Sequence, residues 1–241
     1  MNTVKIVRIP ILPLHMVNAH LILGPDGAIL VDAGIPGSER KIGRALAQEK
    51  LTFKDIKLII ITHAHVDHAG SAARLRELTG APILAHESDA KHYSREEKMT
   101  FCPTGRLARL FYKTGFISQH YEGFTPDIVI SQNQTFDLQR FGVPGSVTHT
   151  PGHTSGSVSV ELDSKDAMVG DLLASGILLG GIMRKKHAIR PPFEDDPYEV
   201  AQQLLRLISA GNQTFHVGHG APLGVNEVLR HAEYLERLSV V

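Results

Sequence analysis

The stretch Thr62-His63-Ala64-His65-Val66-Asp67-His68-Ala69-Gly70 decides how the rest of the chain is read. It follows Lys57–Thr62 (KLIIIT), a continuous apolar run of the kind that forms a strand buried on both faces. It precedes a helical pattern from about Gly70 to Leu78 that stops at Gly80. On extended backbone, side chains two residues apart point the same way, so His63 and His65 can face one point. Asp67 and His68 come from the turn into the helix and can face a second point nearby. Three imidazoles and a carboxylate, with no thiolate among them, suit zinc, iron, manganese or cobalt. Neither a packed core nor a solvated face concentrates ligand-type side chains in this way.

Outward from this stretch the chain alternates strands and helices. Val4–Ile9, Ala19–Leu23 and Ala28–Val31 read as strands, with the turn Gly24-Pro25-Asp26-Gly27 between the last two. Ser38 is placed to cap a helix running to about Lys50. Pro82–Ala85 is a further strand. Strands resume at Asp127–Ile130, Thr135–Leu138, Ser146–Thr148, Ser157–Leu162 and Ala167–Val169. Residues 171–195 read as a loop rich in Gly, Lys and Pro. The chain then gives a helix at Pro197–Ser209, a strand at Thr214–Val217 and a helix at Val225–Leu238. Residues 87–125 stand apart as a helical insertion, first polar and then aromatic, carrying Phe101, Phe111, Tyr112, Phe116, Tyr121 and Phe124. With no repeat and no long linker, residues 1–241 are expected to form one domain of the α+β (α/β) kind.

His63-Ala64-His65-Val66-Asp67-His68 resembles the His-x-His-x-Asp-His signature of the metallo-β-lactamase fold superfamily, in its glyoxalase II or lactonase-like branch. The later motifs of that superfamily have counterparts in order. Thr150–Gly156 (TPGHTSG) supplies His153, Val169–Asp171 (VGD) supplies Asp171, and Val217–Pro222 (VGHGAP) supplies His219. Ile29–Gly34 (ILVDAG) supplies Asp32, implied to be a buried carboxylate orienting the histidines. The resemblance spans about Asn18 to Pro222. It implies a four-layer αββα sandwich of two mixed sheets flanked by helices. It also implies two divalent metal ions, zinc first and iron or manganese as alternatives. His63, His65 and His153 would hold the first, Asp67, His68 and His219 the second, and Asp171 would bridge them. Asp67 would in addition orient the attacking water or accept its proton.

The function so implied is hydrolysis of an ester-like bond, thioester or lactone, of a small molecule through a metal-bridging hydroxide. Phosphodiester cleavage and a mononuclear iron dioxygenase acting on persulfides are the alternatives. The bridging Asp171 argues against the β-lactam branch. Gly176–Met183 replaces the Lys- and Tyr-bearing stretch of glyoxalase II proper.

Composition narrows the partners. The 241 residues hold 25 Lys+Arg and 25 Asp+Glu, so the net charge is zero and no nucleic-acid partner is expected. No run of about 20 apolar residues is present, so no membrane partner is expected, and the N-terminal stretch lacks a signal-peptide pattern. The single cysteine, Cys102, points to a reducing, cytoplasmic setting and to a buried structural role. The substrate is expected to be a small molecule, acyl-bearing or anionic. The four positive charges in Met183–Arg190 could steer an anion, or form a solvated loop. The 101–124 segment has three readings: a lid over an acyl group, a homodimer contact, or ordinary helix packing. Of the other histidines, His149 and His216 read as packed neighbours of the ligands, and His86 is assigned no role. His20 could line the site, and His15, His92, His120, His187 and His231 read as surface residues.

Overall fold

The computed structural model describes residues 4–132, 134–177 and 183–238. β1 (Lys5–Pro10), β2 (Asn18–Gly24) and β3 (Gly27–Val31) form an antiparallel meander. After α1 (Glu39–Gln48) the chain enters β4 (Ile56–Ile60), then α2 (Val66–Ala69) and α3 (Ala72–Thr79), then β5 (Ile83–His86). α4 (Ala90–Tyr93) and α5 (Arg106–Tyr112) lie between β5 and β6 (Ile128–Ile130). β4, β5 and β6 join in parallel, giving a six-stranded sheet in the order β1-β2-β3-β4-β5-β6.

The second sheet begins with β7 (Thr135–Asp137), β8 (Gly145–His149), β9 (Val158–Leu162) and β10 (Asp166–Met168). The small hairpin β11 (Ala174–Ser175) and β12 (Ala188–Ile189) follows, then α6 (Pro197–Ser209), β13 (Thr214–His216), β14 (Leu223–Gly224) and α7 (Val225–Leu238). Its order is β14-β13-β10-β9-β8-β7, with β10 and β13 parallel and the other pairs antiparallel.

Three apolar clusters show how these parts stack. On β4, Ile59 packs with Ile42 and Leu46 of α1 and Leu75 of α3. Its neighbours Leu58 and Ile60 point the other way and meet Val147, Val158 and Val160 of the second sheet. The alternation on one strand explains why KLIIIT carries no polar face: both faces are buried. On the far side, Ala167 and Phe215 pack under Val200, Leu204 and Leu207 of α6 and Val228 and Leu235 of α7. The layers run helix, sheet, sheet, helix, which is the αββα sandwich of two mixed sheets.

Some local expectations are corrected. The helix read from about Gly70 begins earlier, at Val66, and is broken at Ser71, which leaves helical angles at φ −106° and ψ 9°. Gly70 beside it is required by close packing, since a Cβ there would meet Pro36 and the Val66 carbonyl at 2.5 and 2.4 Å. Ser38 precedes α1 but its hydroxyl caps nothing; its backbone N–H instead donates to Ser71 Oγ at 3.0 Å. The 87–125 segment is less helical than its composition suggests, with α4 and α5 spanning only four and seven residues. Cys102 is exposed rather than buried. His231 is buried in α7 rather than on the surface. Part of Gly176–Met183, residues 178–182, lies outside the described residues. Among the described residues, no helix is long and apolar enough to cross a membrane.

α6 starts sharply because Asp196 accepts hydrogen bonds from the N–H groups of Tyr198 and Glu199, at 2.9 and 3.1 Å, with Pro197 in the first turn. Asp196→Ala is expected to lower unfolding stability by about 1 kcal/mol. Urea denaturation checks this, through a lower midpoint at unchanged slope.

Candidate metal centre

The two sheets present their functional residues from strand ends. β3 and β4 run parallel, so Asp32 and the Thr62–His65 segment emerge on the same edge. In the other sheet β10 and β13 run parallel, so Asp171 and His219, each three residues beyond its strand, emerge together. His153 comes from the turn between β8 and β9. Backbone hydrogen bonds join these edges: Val158 N–H donates to the Thr62 carbonyl and Gly218 N–H to the Gly170 carbonyl, both at 2.9 Å.

All seven residues expected to be ligands are brought together, in two groups. His63, His65, His153 and Asp171 place ligand atoms within 4.8 Å of one another, as do Asp67, His68 and His219. In the first group His153 Nε2 lies 3.2 Å from both His63 Nε2 and His65 Nδ1. Asp171 reaches toward both groups: its Oδ2 is 2.8 Å from His219 Nε2 and 3.8 Å from His153 Nε2, and its Oδ1 is 3.4 Å from His68 Nε2. Asp67 Oδ2 is 3.3 Å from His219 Nε2 and 3.8 Å from His68 Nε2.

The ring nitrogens facing inward are set from behind. Thr62 Oγ1 donates to Asp32 and so receives the Nδ1–H of His63, leaving His63 Nε2 bare. His68 Nδ1–H donates to Asp32 Oδ2 at 2.8 Å, and His219 Nδ1–H donates to the Met16 carbonyl. Asp32 adopts φ +65°, a strained value for a non-glycine residue, and also receives Thr62 N–H at 2.9 Å.

The donor set fits a divalent ion. A tetrahedral ion with nitrogen ligands at about 2.0–2.1 Å sets those nitrogens about 3.3–3.4 Å apart, close to the observed 3.2 Å. Burial holds His63 and His153 well below the usual imidazole pKa and takes His65 down to about 4. Three neutral imidazoles therefore turn ring nitrogens toward one small volume, where a cation could draw on a lone pair from each.

The second group is charged in the metal-free fold. Burial opposes protonation of His68 and His219, but the surrounding carboxylates win. Asp171, Asp32 and Asp67 hold His68 well above the usual value, and Asp171 with Asp67 lifts His219 to about 9. The same contacts hold Asp171 well below the ordinary carboxylate range against its own burial.

Two further residues support the ligands. Asp89 is buried and receives Ala64 N–H at 3.0 Å, the Thr154 hydroxyl at 3.0 Å and Gly156 N–H at 2.9 Å. It ties the His63–His65 segment to the His153 turn, through partners distant in sequence from it. Gly218 is the other: a Cβ there would lie 2.3 Å from Asp171 Oδ1 and 2.5 Å from His68 Cε1. The remaining histidines stay outside the two groups. His20 and His216 meet edge to face at 5.7 Å, and His216 Nε2 pairs with Asp166 at 3.0 Å. His86 and His149 stack at 3.7 Å.

A cavity of about 230 Å³ opens onto both groups. His65, Asp67, His153, Asp171 and His219 form its floor, and Leu12, Met16, Val17, Phe111, Phe116, Ile117, Pro192 and Phe193 its walls. The aromatic segment is divided between two roles. Phe101, Phe111 and Phe116 gather with Phe193 beside the cavity, Phe101 lying 4.9 Å from the His65 ring. Tyr121 and Phe124 turn inward to the core under the first sheet.

A family model described as the metallo-beta-lactamase superfamily matches residues 12–220. The chain belongs to the metallo-beta-lactamase superfamily. The probable metallo-hydrolase YflN of Bacillus subtilis (strain 168) is 28% identical over 233 residues, covering 90% of this chain and 84% of that protein. The hydroxyacylglutathione hydrolase GloC of Haemophilus influenzae is 29% identical over 150 residues, 62% of each chain. Among solved structures, the BLEG-1 B3 metallo-beta-lactamase superposes with a TM-score of 0.70 at 21% identity, covering 96% of this chain and 99% of that one. A metallo-beta-lactamase family protein of Thermus thermophilus superposes at 0.68 and 20% identity, covering 98% and 79%. These structures share the fold. With its superfamily and its metallo-hydrolase relatives, the chain is a metal-dependent hydrolase.

The difference in charge between the two groups should show in metal uptake. A divalent ion entering the Asp67, His68 and His219 group must displace protons from His68 and His219, so its uptake should strengthen as the pH rises toward the His219 value of about 9. Uptake at His63, His65 and His153 should be nearly flat above the His65 value of about 4. Zinc titration calorimetry in buffers of different ionisation enthalpy reads the protons released at each step. Separately, Gly218→Ala should weaken metal retention about 10–100-fold, the range typical for disturbed supports of metal ligands. Metal analysis after dialysis against a chelator measures it.

Proposed function

We propose that this hydrolase cleaves an ester-like bond, in a thioester or lactone with a small apolar acyl group, at a site holding two divalent ions, most simply zinc. The apolar wall of the cavity carries this reading. Eight apolar side chains and no Lys or Arg line the space above the candidate ligands. Such a wall recognises an acyl chain and offers nothing to a phosphodiester's charge. Its volume, below the roughly 300 Å³ of ordinary ligand pockets, suits a small group. The name of GloC, a hydroxyacylglutathione hydrolase, lends support to the thioester class.

Bound divalent ions supply Lewis acidity and lower the pKa of a coordinated water from about 15.7 to about 7. The protein's own residues do the remaining work. His63, His65 and His153 would hold one ion, Asp67, His68 and His219 the other, and Asp171 stands between the groups. Asp67 lines the cavity floor with its carboxylate partly exposed, where it can orient the attacking water or take its proton. Phe111, Phe116 and Phe193 hold the acyl group and keep bulk water from the reacting carbonyl.

The test is a panel of short-chain thioesters, lactones and bis-para-nitrophenyl phosphate, assayed with the zinc-loaded protein and with His65→Ala. Turnover of a thioester or lactone is expected, and a loss of more than about a hundredfold in the variant, beyond what outer supports usually contribute. Phosphodiester turnover alone would overturn the ester reading. Circular dichroism of the variant checks that its fold is kept.

A further inference from the structure

The cavity wall is apolar, but the surface around its mouth is both apolar and basic. α5 turns Ala108 and Phe111 toward the cavity side and leaves Leu107 and Leu110 84% and 64% exposed. Arg106, Arg109 and Lys113 are exposed among these leucines. A second such segment is Met183, 57% exposed, followed by exposed Arg184, Lys185 and Lys186. Lys185 acts electrostatically on His15, in the turn that carries Leu12 and Met16 into the cavity wall and leaves Leu14 54% exposed. The first segment joins the cavity wall through Phe111, and the second lies close enough to the His15 turn for the Lys185 charge to be felt there.

The charge is segregated. No Asp or Glu occurs from Lys98 to Tyr121 or from Leu172 to Phe193, although the whole chain is neutral. Arg190 pairs with Glu194, but among the described residues Arg106, Arg109, Lys113, Arg184, Lys185 and Lys186 form no ion pair.

We propose that this rim is a docking surface for an anionic lipid bilayer, with Leu107, Leu110 and Met183 entering the headgroup layer and the flanking cations meeting lipid phosphates. Exposed leucines interleaved with Arg and Lys match an interfacial surface. A second copy of the chain fits poorly, because a two-fold contact would set Arg106, Arg109 and Lys113 against cations of the same sign. Nucleic acid fits less well, because Tyr112 is the one exposed aromatic on α5 and the more exposed Leu107, Leu110 and Met183 offer bases no stacking face. The expectation of no membrane partner rests on the lack of a spanning segment, and interfacial docking needs none. Docking would turn the cavity mouth toward the source of an apolar acyl substrate. That last consequence rests on the proposed ester chemistry, whereas the docking itself does not.

Cosedimentation of the full-length protein with phosphatidylcholine vesicles, with and without phosphatidylserine, tests the proposal without substrate. Binding is expected only with phosphatidylserine, and it should fall as salt rises. Replacing Arg106, Arg109 and Lys113 together with Gln should weaken it roughly a hundredfold, about fivefold per cation. Leu107→Ser with Leu110→Ser should weaken it at least about tenfold while turnover of a water-soluble ester is unchanged. The charge and leucine variants are independent, so misfolding of one leaves the other decisive. No binding to anionic vesicles, or binding indifferent to the leucines, overturns the proposal. So does a dimer that the leucine substitutions dissociate, or retention on DNA without vesicle binding.

Discussion

Three buried imidazoles set their bare nitrogens against one another, with His153 Nε2 3.2 Å from its neighbours on His63 and His65. That convergence is the constraint on which the rest of the structure depends. Neutral rings in this arrangement can share one N–H among three nitrogens, which leaves lone pairs at the cavity floor with no donor of their own. The fold holds them there because the strands that carry them are anchored elsewhere. β4 is buried on both faces, and β8 and β9 are paired along five residues. Core packing thus fixes the positions from which the three rings converge.

The supports behind the ligands carry the geometry. Asp32 accepts strain at φ +65° and in return fixes Thr62 and His68 with one carboxylate. Asp89 does the equivalent for the other side, joining Ala64 to Thr154 and Gly156. Its burial raises its pKa, with the three hydrogen bonds pulling the other way. The two halves of the site also differ in charge. His63, His65 and His153 are neutral, whereas His68 and His219 keep protons beside Asp67 and Asp171. One fold therefore offers a proton-free group and a proton-bearing group side by side. The first is prepared for a cation at any ordinary pH; the second must exchange protons for it.

The sequence discloses the ligand positions because their chemistry is local: a histidine after Pro-Gly, or an aspartate at a strand end, can be read in a few residues. KLIIIT discloses the doubly buried strand for the same reason. Asp89 is silent because its three partners come from two distant places, Ala64 and the Thr154–Gly156 turn, neither at a spacing that marks it. Gly218 stands inside VGHGAP, but the need for glycine there arises from the approach of Asp171 and His68, which the motif does not display. The aromatic segment is only half legible. Composition shows six rings close together, but only tertiary contacts separate Phe101, Phe111 and Phe116 at the cavity from Tyr121 and Phe124 in the core. His231 is legible after all: it falls three residues after Val228 and four before Leu235, on the buried stripe of α7, and only its polar ring argues for the surface.

The aromatic wall needs its own anchor, since α5 spans only seven residues and buries only Ala108 fully. That anchor is a backbone seam between residues 102–104 and 191–194. Pro191 and Pro192 have no N–H to offer and present only carbonyls. Thr104 donates its hydroxyl to them at 2.8 and 3.1 Å, and its N–H to the Pro192 carbonyl at 2.9 Å. Glu194 N–H closes the seam by donating to the Cys102 carbonyl at 3.0 Å, and Arg190 grips its side chain at 2.6 Å. Burial pushes the Glu194 carboxyl up to about 7 despite that arginine. Phe193 sits inside the seam and so holds its position against Phe101 and Phe111. The Pro192–Phe193 side of the wall is thereby set by main-chain bonds, which gives the short α5 helix a fixed surface to pack Phe111 against.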